Sequence, residues 1–429
     1  MKNLTPILLV FLFICCAEKK PSTIDDYQSL EKTLQSLLHD GEYFRLKSEI
    51  QKKGSMLPAP KLQFYQAFVE SAFNKGENSI LLAESLITKN DTSLHDSARV
   101  DLMLLLRDNY FKSYQYRKAA ETGKNILKDY KNVLGDRLHD VENTLLIHEG
   151  LKNISPQRVD LKKVTLRWTP NKLGLIEIPL KTKTSTLGIA FDTRAHISTV
   201  TQSFAKKLGL KILDVSFEES SGITGIKFKS GLGVADSLYI GDILIQNAVF
   251  QVLPDELLRF PSLDYTLDGI LGFQVITQFK EIHILQGGEF TILPTSTPSQ
   301  LNNLAFDGST TVISVINDND TLSFHFDTGA TGTEFYGNYF NRFKTRTINK
   351  GRLETVESGG AGGSIETQVY ILPNVNFEIG GKKIELKEIA VRTESAFKGQ
   401  KYNGNIGQDI IKQFDEMILN FELMYLDFK

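Results

Sequence analysis

The sequence predicts a multidomain chain in which a helical N-terminal part is followed by a mostly β part made of two copies of one unit. Apolar residues recur every three or four positions over residues 25–154, and strand-like runs replace that pattern after Pro156. A short motif centred on Asp then occurs once in each half of the β part. The 429 residues are enough for two to four domains at about 100–200 residues each.

The composition excludes several classes of protein. Lys and Arg number 49 against 51 Asp and Glu, so neither a basic surplus for nucleic acid nor an acidic surplus typical of disorder is present. The mean hydropathy of −0.16 excludes a polytopic membrane protein. Both cysteines, Cys15 and Cys16, lie at the N-terminus, so the body of the chain has no disulfide scaffold, cysteine zinc site or cysteine nucleophile.

Residues 1–16 are typical of a targeting signal. An unbroken apolar run over residues 7–14 is too short to span a bilayer and fits the core of a secretory signal. The run ends at Cys15-Cys16, which resembles a bacterial lipoprotein signal. That resemblance implies lipidation of Cys16, a polar tether over residues 17–24 and a lipid-anchored protein of the bacterial cell envelope, facing the periplasm or the surface. An ordinary signal peptide with idle cysteines is the alternative.

Residues 25–154 form the predicted helical domain. Glycine, proline and Asn-Asp sites separate the apolar-periodic stretches. The predicted helices lie near residues 25–39, 42–53, 59–75, 78–89, 95–112, 115–130 and 136–152. Their layout resembles tetratricopeptide-like helical hairpins, which implies a concave surface for a peptide or protein partner. A helical spacer or prodomain is the alternative.

The β part contains an internal repeat, which places its two halves at residues 160–296 and 302–429. The motif around Asp192 recurs around Asp327, at an offset of 327 − 192 = 135 residues, and two downstream blocks keep the same offset. The matching blocks are Phe191-Asp192-Thr193-Arg194-Ala195 with Phe326-Asp327-Thr328-Gly329-Ala330, Asp268-Gly269-Ile270-Leu271-Gly272 with Asn403-Gly404-Asn405-Ile406-Gly407, and Gln278-Phe279 with Gln413-Phe414. Three blocks at one offset indicate a duplication.

In each copy, a predicted apolar strand leads directly into an Asp-Thr-x-Ala loop. Two such loops related by a pseudo-twofold axis bring the carboxylates of Asp192 and Asp327 together. Like charges at close range share one proton, so that one carboxylate serves as a base on water while the other, protonated, polarises a peptide carbonyl. This chemistry needs no metal, no cofactor and no covalent intermediate.

These motifs resemble those of the retropepsin-like and pepsin-like aspartic proteases, over residues 160–429. The resemblance implies a bilobal, pseudo-twofold β fold and an aspartic-type endopeptidase that binds a polypeptide between its lobes. It makes Asp192 and Asp327 the catalytic pair. The residues implied to support that pair are Thr193, Thr328, Gly329 and Ala330.

The same resemblance implies two flaps that close over the substrate, near residues 220–229 and 358–364. Both stretches contain glycine, as mobile hairpin tips often do. The residues expected to bind substrate there are Ser221, Gly222, Gly225, Gly359, Gly360 and Gly362.

Two positions depart from the pattern of the family. Arg194 takes the third place of the first motif, where the family has Gly, and Asn405 replaces an apolar residue in the second copy. An Arg194 side chain that faces the pair holds a neighbouring carboxylate ionised, and a fully ionised pair lacks the acid that polarises the carbonyl. A guanidinium that points outward leaves the chemistry intact. The alternative function is therefore a catalytically degenerate pseudo-protease that holds a peptide without cutting it.

Overall fold

The computed structural model describes residues 24–89, 94–220, 225–318, 320–360, 362–394 and 400–429. The predictions for the signal segment, for Cys16 and for Ser221 and Gly222 lie outside these ranges. Within them, none of the helices has the length and apolarity that a bilayer-spanning segment needs.

The N-terminal part is helical, and the seven α-helices found among its described residues correspond to the seven predicted stretches. Their bounds are α1 Ile24–His39, α2 Tyr43–Lys53, α3 Ala59–Ala72, α4 Gly76–Thr88, α5 Asp96–Lys112, α6 Tyr116–Asp129 and α7 Leu138–Leu151. The pairs α3–α4 and α5–α6 use the same turn, because Asn74 and Tyr114 both take a left-handed conformation, with φ of 57° and 61°. Consecutive helices pack on one another along the array.

The first β lobe has a sheet in which the order of the strands does not follow the chain. Its strands are β1 Arg158–Asp160, β2 Val164–Arg167, β3 Thr169–Pro170, β4 Ile176–Lys181, β5 Thr186–Phe191, β6 Ser198–Thr201, β7 Lys211–Ser220, β8 Lys227–Ile240, β9 Ile243–Leu253, β10 Arg259–Phe260, β11 Tyr265–Thr266, β12 Gly269–Leu271, β13 Glu281–Leu285 and β14 Glu289–Leu293, with helices α8 Gln202–Leu208 and α9 Phe273–Ile276. Strand β12 lies between β5, to which it is parallel, and β6, to which it is antiparallel.

The second β lobe repeats this arrangement. Its strands are β15 Leu304–Asp307, β16 Thr310–Asn317, β17 Asp320–Phe326, β18 Glu334–Phe335, β19 Arg352–Gly360, β20 Gly363–Ile379, β21 Lys382–Arg392, β22 Gly404–Ile406, β23 Glu416–Asn420 and β24 Tyr425–Phe428, with helices α10 Gly337–Arg342, α11 Lys344–Lys350 and α12 Gln408–Ile411. Here β22 lies between β17 (parallel) and β18 (antiparallel). The downstream block of each copy is thus inserted beside the strand that ends at the motif Asp.

A third sheet joins the two lobes, in the order β2-β14-β13-β23-β24. Glu281 is buried at the junction and accepts hydrogen bonds from Thr297, Asn420 and Tyr425. Burial raises the pKa of this carboxyl, but the hydrogen bonds, first of all that with His283, outweigh burial and lower the pKa to about 2. The fold is therefore bilobal, and strands from both copies share one hydrogen-bonded sheet.

The helical array contacts both lobes. The Tyr43 hydroxyl donates to the Asp307 carboxylate at 2.7 Å, and the Tyr114 hydroxyl donates to the Gln274 carbonyl at 2.6 Å. The last helix, α7, packs on strand β7 of the first lobe. There the Asn143 side chain bonds both backbone groups of Glu218, donating to the carbonyl at 2.6 Å and accepting from the N–H at 2.8 Å.

Candidate active site

The two motif loops are held in the same way in their lobes. The backbone N–H of Asp192 donates to the Leu271 carbonyl at 3.1 Å, and that of Asp327 donates to the Ile406 carbonyl at 3.0 Å. The next residue, Gly407, packs closely against the loop that follows Asp327, because a Cβ there would lie 2.6 Å from the Gly332 carbonyl carbon. The strands β12 and β22 thus fix where each Asp leaves its own strand.

Thr193 and Thr328 join the two loops to each other. The Thr193 N–H donates to the Thr328 hydroxyl at 3.1 Å, and the Thr328 N–H donates to the Thr193 hydroxyl at 3.1 Å. Each hydroxyl then donates to a carbonyl of the other lobe, Thr193 to Phe326 at 2.8 Å and Thr328 to Phe191 at 2.9 Å. Both side chains are buried, with 1% and 0% exposed. This reciprocal set of bonds holds the two Asp loops face to face.

The Asp192 carboxylate is enclosed by its own loop and by Gly329 of the other loop. Its Oδ1 accepts the N–H groups of Arg194 at 2.7 Å and of Ala195 at 3.1 Å. A Cβ on Gly329 would lie 2.5 Å from Asp192 Cγ and closer still to Oδ2. Burial and the charge of Asp327 raise the pKa of Asp192 to about 7, although the two loop N–H groups and Arg194 oppose that rise. Asp192 therefore holds a proton more readily than an ordinary carboxyl.

The Asp327 carboxylate has different partners. Its Oδ1 accepts the Gly329 N–H at 2.8 Å, whereas its Oδ2 accepts the Asn405 side-chain amide at 3.3 Å. Arg194 Nη1 lies 3.7 Å from the same Oδ2. The Asp327 side chain keeps 13% of its surface exposed, so water can reach it. The two carboxyl groups therefore interact electrostatically but have unequal surroundings.

Arg194 does not point away from the pair. Its guanidinium reaches the second lobe, where Nη1 lies 3.7 Å from Asp327 Oδ2 and the guanidinium interacts with Tyr336. Burial lowers the pKa of this guanidinium, but the attraction of Tyr336 and Asp327 outweighs burial, and the net shift is upward. Burial also raises the pKa of Tyr336 to about 12 against the opposing charge of Arg194. Arg194 is thus a permanent positive charge within the site.

Sequence reasoning missed the contacts of Tyr336 and Asn405. The sequence shows that Asn405 departs from the repeat, because the matching residue of the first copy is Ile270. A polar residue at that position does not by itself indicate what its side chain contacts. Tyr336 lies just beyond strand β18 and belongs to no repeated block. Only the approach of the two lobes brings it to Arg194.

The two predicted flaps are hairpins with different contacts. The hairpin β7–β8 contains Gly225, which has φ of +67°, and is fixed along β7 by helix α7. In the hairpin β19–β20, Gly359 pairs with Ser364, Gly360 pairs with Gly363, and Gly362 has φ of +85°. The N–H of Gly362 donates to the Leu257 carbonyl of the first lobe at 2.9 Å. The tip of the second hairpin therefore reaches across to the opposite lobe.

An apolar wall lies in the first lobe beside the Asp192 loop. Its buried members include Ala190, which lies two residues before Asp192, and Leu258. Its partly exposed members include Phe228 of the hairpin β7–β8, Leu257 of the segment that the second hairpin tip touches, Phe260 of β10 and Ile270 of β12. Such a wall can take apolar side chains from a bound chain.

No group of three or more His, Cys, Asp or Glu side chains is placed to hold a metal ion within the ranges that the structure describes. His325 is buried against the ring of Tyr402, with ring centroids 4.4 Å apart. Burial lowers the pKa of His325 to about 3, so this imidazole is neutral at ordinary pH.

Residues 178–275 match a family model described as aspartyl protease. The match runs from β4 into α9 and includes the Asp192 loop. Two similar solved structures are basic 7S globulin from soybean and conglutin gamma, a basic 7S globulin from lupine seeds. Both align with a TM-score of 0.40 and 10% identity, covering 63% and 62% of this chain and 94% of each of those chains. No curated protein matches the chain. The family match supports an aspartic-type peptidase activity.

Proposed function

We propose that this protein is an aspartic-type endopeptidase of the retropepsin-like and pepsin-like kind, which hydrolyses peptide bonds with water activated between Asp192 and Asp327. The observation that carries the proposal is the reciprocal bonding of Thr193 and Thr328, which sets the two Asp loops face to face. The close approach of Gly329 to the Asp192 carboxyl supports the same arrangement.

The proposed reaction keeps one proton on the pair. The ionised carboxylate takes a proton from water as the water oxygen bonds to the carbonyl carbon, and the protonated carboxyl gives its proton to the carbonyl oxygen. In the second step the C–N bond breaks, the amine nitrogen takes a proton from the first carboxyl, and a diol proton returns to the second. Both carboxyl groups end as they began. The raised pKa of Asp192, about 7, leaves it able to act as the acid up to near neutral pH.

The proposed substrate is a polypeptide that lies extended between the lobes. The apolar wall around Phe228 and Leu257 suits apolar side chains beside the scissile bond. The hairpin β19–β20 would cover the bound chain, since its tip at Gly362 already meets the opposite lobe. Opening of that contact is then required for substrate entry.

One observation favours a second candidate, a pseudo-protease that binds a peptide without cutting it. Arg194 Nη1 lies 3.7 Å from Asp327 Oδ2, and a permanent positive charge there favours ionisation of carboxyl groups around it. If both carboxyl groups lose their protons, the acid of the mechanism is absent. The burial that raises the pKa of Asp192 opposes that outcome.

We also propose, from the N-terminal sequence, that the protein is a lipoprotein anchored in the bacterial cell envelope through Cys16. Because the helices resemble tetratricopeptide-like hairpins, we propose that they bind a protein partner. A cavity of about 1570 Å³ lies between the helical array and the second lobe, lined by residues of both, including Tyr43, Arg342 and Lys401. That cavity is a place where such a partner could insert a segment.

The test of the proposed function is cleavage of a peptide library by the purified chain from acidic to neutral pH. We expect cleavage by the wild type and loss of cleavage in both Asp192→Asn and Asp327→Asn. Tight binding of peptides without products would instead favour the pseudo-protease. Cleavage that survives Asp192→Asn would exclude a mechanism shared between the two lobes.

A further inference from the structure

We propose that Arg194 decides which of the two aspartates carries the proton: it keeps Asp327 as the carboxylate, so that Asp192 is the acid and Asp327 the base. The catalytic consequence rests on the proposed function, whereas the placing of the proton is a property of the folded pair alone. In this proposal Arg194 acts on the reaction only through Asp327, as a positioning residue.

The first step concerns the donors around Asp327. Its Oδ2 is approached by Arg194 Nη1 at 3.7 Å and accepts the Asn405 amide at 3.3 Å, while its Oδ1 accepts the Gly329 N–H at 2.8 Å. Each of these groups presents a donor, and a donor favours an ionised oxygen over a protonated one. The surroundings of Asp327 are thus complementary to a carboxylate.

The orientation of the Asn405 side chain also indicates that Asp327 is ionised. Its amide group is turned so that the NH₂ faces Asp327, and its Oδ1 is buried without a hydrogen-bond partner in the part of the chain that the structure describes. Leaving a buried acceptor unpaired costs about 1–3 kcal/mol. The amide thus gives its donor to Asp327 and leaves its own acceptor unpaired, which is the orientation expected beside a carboxylate.

The second step concerns Asp192, whose carboxyl group forms no ion pair among the described residues and on which the charge of Arg194 has a smaller effect than burial and Asp327. Two loop N–H groups bond its Oδ1, and its other oxygen lies against Gly329. Burial and the neighbouring charge of Asp327 both raise its pKa. When one proton is shared between two such sites, it resides on the less stabilised anion, which is Asp192.

The third step concerns what holds Arg194 in place. In the second lobe the guanidinium approaches Asp327 Oδ2 at 3.7 Å and interacts with Tyr336, which is itself buried just after β18. An arginine from the first lobe is thus held by the second lobe. The titratable and charged groups that surround this centre in the described residues are Asp192, Arg194 and His196 from the first lobe and His325, Asp327, Glu334 and Tyr336 from the second, Glu334 being paired with Arg392.

The test compares Arg194→Gln, which keeps a long polar side chain without charge, with Arg194→Lys, which keeps the charge. Carboxyl ¹³C NMR of Asp-labelled protein, assigned with Asp192→Asn and Asp327→Asn, follows protonation of the pair without any need for activity. We expect the first ionisation step of the pair to move up by about 1–3 pH units in Arg194→Gln and to return toward the wild-type value in Arg194→Lys. In the wild type the last proton should be lost from Asp192.

The pH profile of kcat/KM gives the second readout. Its acidic limb should move upward by the same amount in Arg194→Gln, while a merely structural role for Arg194 would lower activity at every pH without moving the limb. An unmoved first step in a folded Arg194→Gln, or a last proton found on Asp327, would overturn the proposal. A chain that shows the NMR shift but cleaves no peptide would refute the proposed function and leave the placing of the proton standing.

Discussion

Replacement of Gly329 by Ala should displace Asp192 without disturbing the rest of its lobe. The added Cβ would lie 2.5 Å from Asp192 Cγ, whereas carbon atoms pack best at about 3.5–4.0 Å. The carboxyl group must therefore withdraw by about 1 Å. A misplacement of about 1 Å at a reacting group costs about 100-fold in rate, so we expect kcat/KM to fall by about 100-fold in Gly329→Ala.

The matched control lies three residues away in the same loop. A Cβ on Gly332 would meet nothing within 4 Å, so Gly332→Ala should keep the wild-type kcat/KM. Steady-state kinetics of both variants, together with their thermal unfolding, separate a displaced carboxyl from a damaged fold. Equal activity of Gly329→Ala and Gly332→Ala would refute the placement of Asp192 against Gly329.

Three further predictions concern the supports of the site. Thr193→Val should lower the unfolding free energy by about 1–3 kcal/mol, because the buried groups that bond the Thr193 hydroxyl lose their partner, whereas Thr193→Ser should keep most of the wild-type stability. Equal denaturation midpoints for wild type and Thr193→Val would contradict the bonding described. Glu281→Gln should cost about 3 kcal/mol near pH 7, because the lowered pKa of Glu281 adds stability that is present above its unfolded value and is lost as pH falls toward about 2. The difference in unfolding free energy between Glu281→Gln and wild type should thus shrink as the pH of denaturation is lowered. A difference that does not change with pH would contradict this prediction. Asn143→Ala should speed amide hydrogen exchange of β7 around Glu218 and leave the hairpin β19–β20 unchanged, and unaltered exchange of β7 would show that the helix does not hold it.

The repeat in the sequence predicted the arrangement of the two Asp loops because each loop is fixed by its own copy. The blocks that contain Leu271 and Ile406 bind the N–H of the Asp that lies at the same offset in each copy. A duplicated sequence therefore implies a duplicated loop. The helices were predictable for a similar reason, since helical spacing of apolar residues is a local property.

Contacts between the copies were not predictable in this way. The direction of Arg194 depends on Tyr336 and Asp327, which the other lobe supplies. The shared sheet uses strands at the ends of the copies, outside the repeated blocks. The bond of Asn143 to the backbone of Glu218 joins residues 75 apart and leaves no pattern in either segment. These features come from the assembly of the lobes and the helices rather than from any single stretch of chain.

The central claim is that Asp192 and Asp327 act as one unit, and a double-mutant comparison tests it most directly. Cleavage of one peptide substrate would be measured for Asp192→Asn, for Asp327→Asn and for the chain that carries both changes. Residues that act as a unit have grossly non-additive effects, so we expect each single change to lose as much activity as the double change. Losses that multiply, or one variant that keeps wild-type cleavage, would contradict a shared pair.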